Sequence, residues 1–157
     1  MKMVLRLMAV ALVAVPVFAA DPPRLAVWRA AELAERGTGL ATHVGSDHSS
    51  RETLADFGHH RFRLLYRDAD GFPEQHDEIV DVVIVQSGES TLVVGGTMTG
   101  KRASGGAGEF VGTRLEGGER RQIAAGDIVH IPAKIPHAFL VAPGKHVTYV
   151  LVKFPAE

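Results

Sequence analysis

From residue 52 to the end, short apolar and β-branched runs alternate with turn residues. The runs are ETLADF, HRFRLLYR, EIVDVVIVQ, STLVVGG, RRQIA, IVHI, HAFLV and HVTYVLVKF. Between them stand Gly58, Asp70-Gly71, Ser87-Gly88, Gly117-Gly118, Gly126-Asp127 and Pro143-Gly144, residues that reverse a chain easily. Many short strands at this spacing predict an all-β sandwich or barrel. Upstream the period changes. AVWRAAELAERG, within Leu25 to Gly37, is built of strong helix formers and ends on glycine, which predicts a short helix packed outside the main core. GTGLATHVGSDHSS reads as a connection. Ser49 and Glu52 have capping-box spacing, but TLADF alternates as a strand does, and the strand is the stronger expectation. TMTGKRASGGAGEFVG is the one long irregular stretch and reads as a mobile loop over a site mouth.

The extreme N-terminus does not belong to this pattern. Lys2 and Arg6 precede or flank the 14-residue apolar run Leu7 to Ala20, small residues close it at Ala19-Ala20, and the chain then turns polar at DPP. That is the pattern of a cleaved secretory signal, with a run shorter than the roughly 20 residues a spanning helix needs. The expected organisation is a signal peptide over 1–20, an extension with the short helix over 21–51, and a barrel domain over 52–157. The protein is then secreted or periplasmic, without membrane attachment after cleavage. Of the 157 residues, 137 remain, with 15 basic side chains once Lys2 and Arg6 are removed from the 17, against 18 acidic ones. A balance that is slightly acidic and free of charge blocks points away from nucleic acid. No cysteine is present, so neither disulfides nor thiolate chemistry is available, and any metal must be held by the eight histidines and the carboxylates.

One stretch concentrates such groups. PEQHDEIVDVVIVQSG puts Glu74, His76, Asp77, Glu78 and Asp81 just ahead of, or at the start of, an apolar strand. Alternation sets Glu74 and His76 on one face and, after a local irregularity, Asp81, Val83 and Val85 on one face. Charges on the buried face of a strand need ion-pair partners or a metal. Arginines such as Arg63 or Arg67 are the alternative partners, which would make the cluster a structural network. Asp77 and Glu78 read as a solvated turn. Arg61, Arg63 and Arg67 alternate with apolar neighbours and are expected on an exposed strand face. His60 shares parity with Phe62, Leu64 and Tyr66 and is expected to point inward near the mouth.

Downstream, GDIVHIPAKIPHAF places Gly126, Pro132 and His137 at telling intervals. Together the two stretches resemble the cupin superfamily, small β-barrels (double-stranded β-helix or jelly-roll folds) marked by two motifs. Glu74-x-His76, Asp81 and Gly88 follow the spacing of the first motif; Gly126, Pro132 and His137 follow that of the second. Glu74 stands where the family has His, Asp81 where it has Glu, Lys134 where it has Gly and Val141 where it has Asn. The resemblance covers roughly residues 52 to 154 and implies a metal site inside the barrel formed by Glu74, His76, Asp81 and His137. Such a nitrogen and oxygen set suits a divalent transition metal such as Fe, Mn, Ni, Cu or Zn. His76 and His137 rank first as ligands, Glu74 next, and Asp81, one methylene shorter than Glu, as a ligand or its support.

Cupins span many activities, so the fold leaves the reaction open. The first reading is a metal-dependent oxidoreductase, dioxygenase-like, acting on a small organic molecule, with His60 or His130 as proton carrier and Val83, Val85, Phe139 and Val150 as apolar walls. The alternative is a non-catalytic barrel that binds a small molecule or a metal. The resemblance also implies a homodimer formed by pairing sheet edges. A serine hydrolase is disfavoured, since Gly88-Glu89-Ser90 lacks the closing glycine of a nucleophile elbow, and no His-Glu-x-x-His zinc-protease pattern occurs.

Overall fold

The computed structural model describes residues 25–157. The segment read as a signal peptide lies outside them. Helix α1 (Ala30–Ala41) is followed by β1 (Ser49–Asp56), β2 (Arg61–Arg67), β3 (Glu74–His76), β4 (Ile79–Val94), β5 (Thr97–Thr99), β6 (Arg102–Ala103), β7 (Glu109–Val111), β8 (Arg114–Glu116), β9 (Glu119–Ala124), β10 (Ile128–Ile131), β11 (His137–Leu140) and β12 (Val147–Pro155). Ten strands form one curled antiparallel sheet in the order β1-β2-β12-β4-β11-β3-β7-β6, with β9 and β10 paired to β4; β5 pairs with β8. The expected all-β barrel with one short helix is what the chain forms.

The helix is displaced from the expectation. It continues through Gly37 to Ala41, where Thr42 ends it by bonding back to the Gly39 carbonyl. Gly37 is a contact point and not a stop: a Cβ there would sit 3.0 Å from Thr148 Cγ2 on β12. Glycine lets the helix lie close on the sheet.

Strand β4 is one 16-residue strand where two were expected. Ser87-Gly88 does not turn the chain around; it bends a strand that pairs with β12 and β10 before the bend and with β11 and β9 after it. Gly88 has φ 73°, and a Cβ would strike the His146 carbonyl oxygen at 2.0 Å. Opposite it, a register shift between Thr148 and Tyr149 inserts an extra residue on β4. That bulge changes which parity faces inward, so Asp81, Val83 and Val85 precede it on the buried face and Ser90 and Leu92 follow.

The sheet has two buried faces. Inside, Leu65, Val83, Val85, Leu92, Ile123 and Phe139 belong to the main cluster. Outside, α1 covers a second layer of Leu33, Leu64 and Val150, with Trp28 and Phe62 packed against it. Three expectations are corrected by this packing: the inward parity of Phe62 and Leu64, the interior place of Val150, and the exposed face of Arg63 and Arg67. Phe62 and Leu64 face the helix, and so does Val150, which is therefore not a wall of the interior. The opposite parity of β2 lines the interior cavity, carrying Arg63, Leu65 and Arg67. With both faces apolar or covered, alternation could not tell inside from outside.

Candidate metal centre

Three ligand-capable groups converge at the mouth end of the interior. Atoms of Glu74, His76 and His137 all lie within 4.8 Å of one another. Glu74 and His76 come from β3, and His137 opens β11, whose first residue pairs with Glu74. The two imidazoles are 5.4 Å apart between ring centres. Both histidines are buried, whereas the Glu74 side chain is 41% exposed and closes the site toward the cavity.

Each ring is turned by a partner on its far nitrogen. His76 Nδ1 meets Glu109 Oε2 of β7 at 2.7 Å, and His137 Nδ1 meets the Ile135 carbonyl at 3.1 Å. When each Nδ1 carries the hydrogen, both Nε2 lone pairs are turned to the centre. Burial holds the His137 imidazole below the ordinary histidine value despite Asp81, and so keeps it neutral. Burial also opposes charge on His76, but Asp81 and Glu109 outweigh it together with the repulsion from Lys153, and His76 stands above its ordinary value.

Asp81, next to the triad, has another task. Its carboxylate lies 3.3 Å from His76 Nε2 and 3.7 Å from His137 Nε2, and it faces Lys153 directly across the β4–β12 ladder. Lys153 Nζ is 2.9 Å from Asp81 Oδ1 and 2.8 Å from His76 Nε2. Burial pushes the Asp81 carboxyl up, but His76, Lys153 and His137 together hold it below the usual range. An ammonium therefore stands within the ligand set.

Do these residues fit a divalent cation? Asp81 Oδ1 is buried and has no aligned hydrogen-bond donor despite its contact with Lys153. Two histidines with oriented Nε2 atoms and one carboxylate make a suitable donor set. They fit, with the Lys153 ammonium as a competitor for the same electron pairs.

The cavity in front of the triad has a volume of about 260 Å³ and is walled by Leu65, Phe139, Tyr149 and Leu151 among others. Burial pushes the Tyr149 hydroxyl up to about 12, so it remains a hydrogen-bond donor and not a base.

No family model and no curated protein matches the chain. Solved structures match its fold. A cupin-2 domain from Rhodospirillum rubrum aligns at TM-score 0.50 and 18% identity, over 70% of this chain and 61% of that one. A Thermus thermophilus protein aligns at TM-score 0.53 and 14% identity, over 71% and 88%. The chain has the cupin fold. A cupin 2 conserved barrel domain protein from Rhodopseudomonas palustris is 24% identical over 69% of this chain and 62% of its own length, with TM-score 0.48. The chain thus spans less than two thirds of the length of the two named cupin-2 proteins.

Its departures from the cupin motifs have structural consequences. Lys134, in the glycine position, keeps the backbone a glycine would adopt, φ 67°, and its amide bonds to the His76 carbonyl at 2.6 Å. That amide pins β3 beside β11. The expected proton carriers lie elsewhere. His60 is exposed, stacked on Phe57 at 4.9 Å, and lines a separate groove that shares Arg63, Ser104 and Lys153 with the cavity. His130 is exposed on β10, on the face opposite the buried Ile131. Neither joins the triad.

Two functional groups escaped the sequence reading. Lys153 lies near the end of β12, a strand apolar on both faces, so its parity carried no message. Glu109 lies in the stretch expected to be a mobile loop. That stretch instead forms β5, β6 and β7, and β7 pairs with β3, with Glu109 opposite His76.

Proposed function

We propose that this protein is an exported cupin that binds a divalent transition metal through Glu74, His76 and His137 and oxidises a small organic molecule in the adjoining cavity. The convergence of two buried, oriented imidazoles and one carboxylate within 4.8 Å carries the reading. Two histidines and a carboxylate are the donor set of non-haem iron(II) oxygenases. A metal held there would supply Lewis acidity and, for iron, manganese or copper, one-electron chemistry. The chain's own groups do the rest. Glu109 and the Ile135 carbonyl fix the histidine tautomers. Leu65, Phe139 and Leu151 exclude water from the reacting end, and Lys153 Nζ is the cationic proton donor that reaches both triad and cavity. Export rests on the N-terminal pattern. A homodimer is the natural way to cover β1 and β6, the two ends of the sheet order.

Elemental analysis of protein purified from its native compartment, compared with a His76→Ala, His137→Ala double variant, tests the centre. Near-stoichiometric metal in the first and none in the second is the expected result, with oxygen consumption on small organic acids lost when the metal is removed. A native protein that holds no metal and gains no thermal stability from any first-row dication overturns it. The contact of Lys153 with His76 and Asp81 favours a second reading for that case: a binding barrel in which the ammonium is the resident cation.

A further inference from the structure

The interior cavity is cationic in a way the metal centre does not explain. Five arginine or lysine side chains line it against three carboxylates. Asp81 is engaged by Lys153, and Asp47 by Arg51 at 3.3 Å. Arg63 and Arg67 enter no ion pair among the described residues. Arg67 is only 9% exposed, and Nε has no hydrogen-bond partner; Nη1 reaches the Asp47 carbonyl at 3.4 Å. Arg63 Nε is likewise buried and unpartnered. Burial, with Arg61 and Arg51 nearby, holds the Arg63 guanidinium below its ordinary value, the mark of a cation short of a counter-ion. Leu65 sits between the two arginines on the same strand face.

A buried guanidinium without a counter-ion is expensive unless something arrives to satisfy it. A carboxylate matches the planar fork of one arginine in a bidentate pair. A doubly charged phosphate would meet stronger repulsion from Glu74 and Asp81 at the same mouth. The volume of about 260 Å³ lies below the roughly 300–1,000 Å³ of pockets for drug-sized ligands, which leaves room for a metabolite of a few carbons. We infer that the cavity is a receptor for a compact carboxylic acid, whose carboxylate is gripped by Arg63 and Arg67 while its other end meets the His76–His137 centre. This deepens the function proposed above and rests on it for the chemistry at that other end.

The test is calorimetry and thermal melting of the mature chain with succinate, its neutral isostere succinamide, and inorganic phosphate at constant ionic strength. Succinate should bind and raise Tm, succinamide should not, and phosphate should bind at least tenfold more weakly than succinate. Arg63→Gln and Arg67→Met should each weaken succinate at least tenfold. Without ligand, Arg67→Met gives up the long 3.4 Å bond of Nη1 to the Asp47 carbonyl and a contact with the Tyr149 hydroxyl, but it also removes a buried charge that has no counter-ion, so it should melt no lower than the parent; a structural arginine would show the reverse. If Arg67→Met does not fold, the half-buried Arg63→Gln decides. Equal binding of succinamide, preferred binding of phosphate, unchanged affinity in the folded variants, or no binding of any probe overturns the proposal. Metal content measured on the same samples keeps the two ideas apart. Succinate binding in native protein that holds no metal and gains no stability from any first-row dication sinks the metal reading and leaves the carboxylate receptor standing.

Discussion

The two faces of β2 and β12 carry opposite chemistry on the same strands. Toward α1 they present Phe62, Leu64, Val150 and Val152, a layer that any globular protein would use as core. Toward the barrel interior, at the mouth end, they present Arg63, Arg67 and Lys153 next to Asp81 and two histidines. Burial alone therefore does not say where the stabilising core is. The helix-covered face and the apolar part of the interior hold the sheet by packing, and the mouth end of the inner face uses the rigidity so gained to keep charges in place that packing alone would expel.

Substitution on each face should show that division. Lys153→Met removes the counter-ion of a carboxylate that is 3% exposed, and one-sided removal from a buried pair costs about 3–5 kcal/mol. A divalent metal should restore most of that loss, and should bind more tightly than in the parent because the competing ammonium is gone. Urea titrations with and without zinc or manganese measure both effects. If metal affinity does not rise, Lys153 is not a competitor for the centre.

Leu64→Ala on the opposite face should cost about 2–5 kcal/mol, since Leu64 is fully buried. Here added metal should recover nothing beyond what it gives the parent, and metal stoichiometry should be unchanged. A metal-dependent rescue of Leu64→Ala as large as that of Lys153→Met would erase the contrast between the faces.

The smallest effect separates the two histidines by pH. His137 titrates below its ordinary value, so around and below about pH 6.5 the unfolded chain takes up a proton that the folded chain refuses, and stability falls with acid. His76 titrates above its ordinary value, so its contribution is full below about pH 6.5 and is lost as pH rises through its folded value. Metal-free His76→Asn should thus be less stable in urea at pH 5.5 than at pH 7.5, and His137→Asn should lean the other way. Both measurements stay above the range in which Asp81 takes up its proton. The same slope in both variants would contradict opposed environments for the two imidazoles.

Much of this molecule was legible along the chain. The turn at Gly126-Asp127, the stiff link between Pro132 and Pro136 and the strand opened by His137 are local signals, and so is the spacing from Glu74 through His76 to Gly88. Turn chemistry and side-chain alternation act over a few residues, so they survive without knowledge of partners. Other features were illegible for equally physical reasons. Ser87-Gly88 looks like a hairpin turn, yet Gly88 is there because the His146 carbonyl, 58 positions away, approaches too closely for any Cβ. The glycines of residues 97–112 suggested mobility, but pairing of β7 with β3 orders the segment and delivers Glu109 to His76.

The chain's local order was thus enough to specify an all-β sandwich or barrel, and the resemblance of its motif intervals to those of cupins supplied the expectation of one centre. Only the tertiary structure decided which face of β2 and β12 looks inward, because both faces are covered and a period of two cannot rank them. From that choice follow the arginines in the cavity and the lysine within the ligand set. Their roles depend on cross-strand neighbours, Asp81 for Lys153 above all, that sequence distance hides.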